Sequence, residues 1–350
     1  MEPTEYKVYI LNQVISGPLK ITICDDSSLA RKQLSHTISH WDAQISFATN
    51  GLEAIDAIKQ GRAQLLFLDL NMPVSDGYDV LEIIKTEQLV TKVIIVSGDV
   101  QEGARKRIFD LGALAFIKKP MKTDDFERTI KSSGLLDIFP LLLKPAKTPI
   151  SDQLTLSVPP EERLQEIANI ATGKTAAKLA ELFDNFINIS IPKVNIITNS
   201  DLYMMIKGSN HDDLTANISQ GFVGSGIRGE SVLIIDKTSL PSIAKILGFN
   251  VKYNPKLELD ILFDLASLLG GSFMKAFFDQ LNIKHINQSI PATLEFDDQF
   301  EYLTVSPTMK NSLAIEISYL LPEHNIQCDL LLLFTLNSIE SMNKRTEHYS

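Results

Sequence analysis

Residues 19–132 predict a doubly wound α/β fold with a parallel sheet, and residues 161–350 predict an α+β domain built as a pseudo-duplication. Three observations carry this reading. Short apolar runs in the first third each stop at a charged or hydroxyl side chain. Strands buried on both faces of a parallel sheet read as continuous apolar runs of this kind. The second half carries the same polar pattern twice, 98 residues apart. The composition, 350 residues with 44% hydrophobic and 22% charged, suits about two globular domains.

The elements follow in order. Residues 1–18 form an N-terminal extension with an alternating stretch, Tyr6 to Ile10, that reads as an extra strand or a tail. Ile21-Thr22-Ile23-Cys24 reads as the first core strand and ends on Asp25-Asp26. Leu65-Leu66-Phe67-Leu68 ends on Asp69. Val93-Ile94-Ile95-Val96 ends on Ser97. Ala115-Phe116-Ile117-Lys118 ends on Lys119-Pro120. Ligands of open α/β sheets bind at the carboxyl ends of the strands. Three carboxylates there make a hard oxygen cluster suited to Mg²⁺. A lysine at the same edge adds a fixed positive charge, so this edge is suited to holding a phosphoryl group.

The set Asp25-Asp26, Asp69-Leu70-Asn71-Met72-Pro73 with Asp76-Gly77, Ser97-Gly98 and Lys119-Pro120 resembles the receiver domain of two-component response regulators. The resemblance covers residues 19–132 and implies a (βα)5 fold. It implies that Asp69 takes a phosphoryl group from a histidine kinase. It places Mg²⁺ on Asp25, Asp26, Asp69 and the backbone carbonyl of Asn71. Ser97 and Lys119 would each hold a phosphoryl oxygen, and the Lys119-Pro120 bond would be cis. Ser97 is the switch hydroxyl and Phe116 the switch aromatic. Phe116 lacks a hydroxyl, so a switch there works by packing.

A connector spans residues 133–160 and carries Pro140, Pro145, Pro149, Pro159 and Pro160. Its opening, Leu135 to Phe139, is too apolar for a free tether. Taken as about 25 residues, the connector spans about 80 Å when fully extended. Pro159-Pro160 then signals a helix start.

The repeat begins there. Glu162, Glu166, Asn169 and Gly173 recur 98 residues later as Asp260, Asp264, Ser267 and Gly271, and Pro192 recurs 99 residues later as Pro291. On a helix, Leu164, Ala168, Ala171, Leu179, Leu182 and Phe186 cluster between about −20° and +60°, while the four polar positions fall between about 140° and 200°. Leu262, Leu265, Leu269 and Phe273 form the matching apolar face of the second helix. A polar stripe opposite an apolar face is ordinarily solvated surface. A glycine at the same helical place in both copies, at about 1 kcal/mol against alanine, suggests that something approaches the backbone there.

Glu166, Asn169 and Pro192, with 22 residues between the last two, resemble the motif of the CheC, CheX and FliY family of chemotaxis phosphatases. Glu162 departs from that motif, which has Asp or Ser at its first position. The resemblance implies that Asn169 positions a water on the aspartyl phosphate of a CheY-like receiver, its own or a separate one. Glu166 would pair with that receiver's lysine, and Gly173 would admit its loop. Asp264 and Ser267 are shorter and lack the amide, so the second site is expected to be degenerate. The alternative is a non-catalytic docking or dimerisation domain gated by Asp69, and a homodimer stays open.

Other classes are weaker. A net charge of −10 and a pI near 5.2 argue against a nucleic-acid footprint. Ala168 to Thr175 falls one glycine short of a phosphate-binding loop and lies within the helical pattern. His36 and His40 share helical spacing without a third ligand, which suits a solvent-facing pair. Two cysteines make no disulfide framework, and Cys24 reads as a core residue. No signal-peptide pattern opens the chain and no apolar run reaches 18 residues, so a cytoplasmic protein without membrane insertion is expected.

Overall fold

The computed structural model describes residues 18–98, 101–139, 159–198, 201–202, 215–248, 255–294, 311–324 and 326–346. Residues 1–17 of the N-terminal extension and 140–158 of the connector lie outside the described residues. The chain divides into two compact units.

The first unit alternates strand and helix: β1 Leu19–Cys24, α1 Ser28–Thr37, β2 Ala43–Ala48, α2 Gly51–Lys59, β3 Leu65–Leu68, α3 Gly77–Thr86, β4 Lys92–Ser97, α4 Glu102–Asp110, β5 Ala115–Lys118 and α5 Thr123–Ser132. All strands pair in parallel, in the order β2-β1-β3-β4-β5. The central strand β3 is buried at every position, as its unbroken apolar run requires. One core holds Ile21, Ile23, Phe67, Trp41 and Phe126, and a second, on the other sheet face, holds Leu66, Leu68, Ile95 and Val80. Helix starts follow local chemistry. Ser27 accepts from the Ala30 N–H, Asn50 from Glu53, and Asp76 forms a reciprocal box with Asp79. A short helix, α6 Leu135–Ile138, follows. Leu135 and Phe139 are buried in the first core, so packed structure continues past residue 132.

The second unit shows the repeat as topology. Helix α7 Pro160–Phe183 leads to β6 Asn188–Ile189, β7 Lys193–Thr198, β8 Thr215–Gly224, β9 Ile227–Asp236 and α8 Leu240–Ile246. Helix α9 Pro255–Gln280 leads to β10 Asn287–Gln288, β11 Ala292–Thr293, β12 Asn311–Leu321, β13 Ile326–Thr335 and α10 Leu336–Thr346. The antiparallel sheet runs β10-β8-β9-β13-β12-β6, with β11 on β8 and β7 on β12. The two hairpins β8-β9 and β12-β13 meet at the β9-β13 pair, and each copy's short strands cover the outer hairpin strand of the other copy, β6 and β7 on β12 and β10 and β11 on β8. Ser225 and Gly226 close the first hairpin with positive φ at both positions, the turn whose twist matches the strands. Alternation along β13 sends Leu330, Leu332 and Phe334 to the core with the long helices, and Leu331 and Leu333 to a smaller cluster on the other face.

Two sequence expectations change here. Leu182 is exposed, and Phe186 lies beyond the end of α7, where Asp184 adopts a left-handed cap. The apolar face therefore stops near Leu179. The second concerns apolar length. The stretch Leu257–Gln280 is long and apolar enough to cross a membrane by composition, and 67% of its most apolar window is buried inside the fold. Leu262, Leu265, Leu269, Phe273 and Phe277 face the core, so it is the central helix of the second unit.

Candidate functional site

The parallel sheet brings the sequence-named groups of the first unit together because every strand ends on the same edge. Register sets Cys24 beside Leu68, Leu68 beside Ile95, and Ser97 beside Lys118. Asp25, Asp69 and Lys119 are each the next residue outward. Asp25 and Asp69 are 4% exposed, Lys119 is 5% exposed, and Ser97 is fully buried. Asp26 is half-buried. One carboxylate oxygen from each of Asp25, Asp26 and Asp69 lies within 4.8 Å of the others, a cluster that fits one hard divalent ion. Lys119 Nζ is 2.8 Å from Asp25 Oδ2 and 3.5 Å from Asp69 Oδ1.

Backbone contacts hold these groups in place. The Asp69 N–H donates to the Cys24 carbonyl and the Lys119 N–H to the Ser97 carbonyl, both at 2.9 Å. The Lys119-Pro120 bond is cis. Asn71 stands half-buried two residues past Asp69. Gly77 returns to that turn, where an added Cβ would overlap the Asp69 carbonyl oxygen and meet Leu70 Cα at 2.8 Å. Asp76-Gly77 therefore serves as a helix cap followed by an obligatory close approach. Phe116 is half-buried, with the Arg105 guanidinium 5.3 Å from its ring centre. Burial pushes the Cys24 thiol well above its ordinary pKa, and the charges of Asp25 and Asp69 raise it further. Arg31 carries a role that the sequence reading missed. Its Nη1 donates to the carbonyls of Asp25 at 2.6 Å and Asp26 at 3.1 Å, fixing the backbone of the acid pair. Arginine one turn into the first helix is its only sequence signal.

The second candidate site lies on α7. The helix runs unbroken through Ala168 to Thr175, leaving no loop to cradle a nucleotide phosphate. Glu166 and Asn169 are 3% and 8% exposed, so the middle of the stripe is not solvated surface. Ile167 and Ile170 are buried as well. At about −60° and −120°, they extend the apolar surface to the border of the stripe. The apolar arc thus runs from about −120° to +60°, half of the helix circumference. Gln165 Nε2 donates to Asn169 Oδ1 at 3.0 Å and to the Pro192 carbonyl at 2.6 Å, while Gln165 Oε1 accepts the Val194 N–H at 3.1 Å. Asn169 Nδ2 is buried with no hydrogen-bond partner among the described residues.

The matching groups on α9 differ. Asp260 and Asp264 are exposed and Ser267 is half-buried. At Gly271 an added Cβ would meet only the Gln288 side chain at 3.8 Å, so no backbone crowds that glycine among the described residues.

A family model described as the response regulator receiver domain matches residues 21–131. The transcriptional regulatory protein CrdR of Helicobacter pylori is 30% identical over 113 residues, covering 32% of this chain and 53% of that protein. The chain thus spans about half the length, or less, of the curated relatives it matches. The receiver domain of Thermotoga maritima CheB superposes with a TM-score of 0.30 at 28% identity, covering 35% of this chain and 96% of that one. Thermotoga maritima FliY superposes with a TM-score of 0.41 at 18% identity, covering 56% of this chain and all of that one. The parallel five-stranded sheet, the acid cluster at its carboxyl edge and the family match agree: residues 21–131 are a receiver domain of the response-regulator family.

Proposed function

We propose that this chain is a response regulator of a chemotaxis-type pathway whose second unit hydrolyses receiver aspartyl phosphate. Asp69 is the acceptor. Its carboxylate oxygen bonds to phosphorus as the P–N bond of a kinase phosphohistidine breaks, and the electron pair stays on the imidazole, which takes up a proton. Asp25, Asp26, Asp69 and the Asn71 carbonyl would hold Mg²⁺, which when bound offsets charge on the phosphoryl oxygens. Lys119 and Ser97 each take one of those oxygens, replacing repulsion between two anions with fixed complementary groups. Phe116 reports the change by packing.

Hydrolysis reverses the modification. A water oxygen bonds to phosphorus, the P–O bond to the aspartate breaks, and the carboxylate leaves with the electron pair. The water's proton ends on phosphate or solvent. Glu166 pairs with the lysine of the substrate receiver and sets the docking angle, and Asn169 holds the water in line.

The observation that carries this reading is the buried, unpartnered Nδ2 of Asn169 in the Glu-x-x-Asn pattern. An unsatisfied buried amide costs about 1–3 kcal/mol, and a bound phosphoryl group with its water would supply the missing acceptor. The test is to load the full chain with acetyl phosphate and Mg²⁺ and follow loss of the phosphoryl group. Asn169→Ala should lengthen its lifetime at least about tenfold, a loss of roughly 1.4 kcal/mol. An unchanged lifetime would assign the second unit to docking or dimerisation instead.

A further inference from the structure

The geometry points to Gln165 as a positioning residue that decides which end of the Asn169 carboxamide faces the substrate. This rests on the phosphatase reading above. Amide oxygen and nitrogen look alike in shape, so their orientation has to be derived from partners that have no choice. Two such partners flank Gln165. The Val194 N–H can only donate, and it meets Gln165 Oε1 at 3.1 Å. The Pro192 carbonyl can only accept, and it meets Gln165 Nε2 at 2.6 Å. Gln165 is therefore locked with its nitrogen toward Asn169. The end of Asn169 that meets this nitrogen, at 3.0 Å, has to be its oxygen. The nitrogen of Asn169 then points the other way, and it is the buried atom without a partner.

Asn169 thus works as a hydrogen-bond donor toward the reacting groups, with its oxygen engaged one turn back on the helix. A carboxamide free to flip would present an acceptor part of the time and misplace the water. The clamp also accounts for the distant proline of the motif. Pro192 ends the segment between α7 and β7, and its carbonyl is one of the two fixed partners. The other copy lacks the device. At the offset of 98 residues, Phe263 stands in the place of Gln165, so no side-chain amide is available there to orient Ser267.

The experiment uses full-length chain loaded with labelled acetyl phosphate in Mg²⁺ and follows single-turnover loss of label. Gln165→Glu keeps the size and the acceptor for Val194 while replacing the donor with a second acceptor, which draws Asn169 Nδ2 back toward the helix. The expected result is a rate constant about tenfold lower, matching Asn169→Ala, and no further slowing when both changes are combined. Gln165→Met, which neither holds nor flips the amide, should fall between wild type and Gln165→Glu. It also decides the matter if Gln165→Glu does not fold by circular dichroism. A purely structural role would lower thermal stability equally in all backgrounds and leave the two rate losses additive. Additive losses would overturn the proposal, as would normal turnover in both Gln165 variants beside a slow Asn169→Ala. Normal turnover in Asn169→Ala itself would overturn the phosphatase reading, and the positioning role with it.

Discussion

Lys119 Nζ lies 2.8 Å from Asp25 Oδ2, nearer than the 3.5 Å that separates it from Asp69. The ammonium of Lys119 thus sits closer to the carboxylate of Asp25 than to that of Asp69. All three side chains are almost fully buried. Removing one member of a buried ion cluster leaves the others uncompensated, at about 3–5 kcal/mol.

Lys119→Met should therefore lower the urea midpoint of the receiver transition, and millimolar Mg²⁺ should restore part of the loss. It should also slow phosphoryl uptake from acetyl phosphate by at least about tenfold, since a positioned charge on a developing phosphoryl oxygen is lost. Unchanged stability in metal-free buffer would show that the cluster is not held by this lysine.

Asp69 is expected to be the sole phosphoacceptor. Intact-mass measurement after acetyl phosphate and Mg²⁺ should show one phosphoryl gain in the wild type. Asp69→Ala should show none. A gain that survives this change would move the acceptor elsewhere.

Metal binding should need no histidine or cysteine. Calorimetric titration of Mg²⁺ should show one site whose heat disappears in the Asp26→Ala, Asp69→Ala double variant. His36→Ala should bind as the wild type does, because His36 is an exposed residue on α1 outside the acid cluster. Full affinity in the double variant would refute the assignment.

The two long helices should differ in catalysis. Asn169→Ala should prolong the phosphoryl lifetime at least about tenfold, the loss of one positioned group, while Ser267→Ala should leave it within twofold of wild type. Mixing a full-length Asp69→Ala chain with a phosphorylated Glu166→Ala, Asn169→Ala chain separates attack within one chain from attack on another. Equal losses from Asn169→Ala and Ser267→Ala would remove the asymmetry between the copies.

Cys24 and Cys328 should be inert in the native protein. Burial raises both thiols above their ordinary range, with Asp25 and Asp69 adding to the effect at Cys24 and Asp329 at Cys328. A thiol-specific disulfide reagent at pH 8 should react with neither until urea unfolds the chain. The raised folded pKa also sets the sign of the pH effect. The folded state keeps protons that the unfolded chain releases above about pH 8.5, so stability falls as pH rises past that point. Rapid native labelling would contradict the burial of both groups.

The chemistry of the receiver domain was legible in the sequence because a parallel sheet ties function to a local signal. An apolar run that stops marks a strand's carboxyl end, and parallel pairing puts all such ends on one edge. Asp25, Asp69 and Lys119 could be named on that ground, and Ser97 through the resemblance to receiver domains, before any contact between them was known. The pseudo-duplication was legible for a similar reason, since the spacing of Glu166 and Asn169 recurs in Asp264 and Ser267 and that of Pro192 recurs to within one residue in Pro291. Only the tertiary structure decided what surrounds those residues. Helical periodicity describes one helix and knows nothing of its neighbours, so it read the stripe as outward-facing and left Leu182 in the core. The orientation of Asn169 depends on a carbonyl and an amide 23 and 25 residues farther along, at Pro192 and Val194. Arg31 is similar, since its hold on the acid pair exists only once α1 folds back beside β1. Hydrogen bonds have direction, and direction is set by the partner that packing supplies.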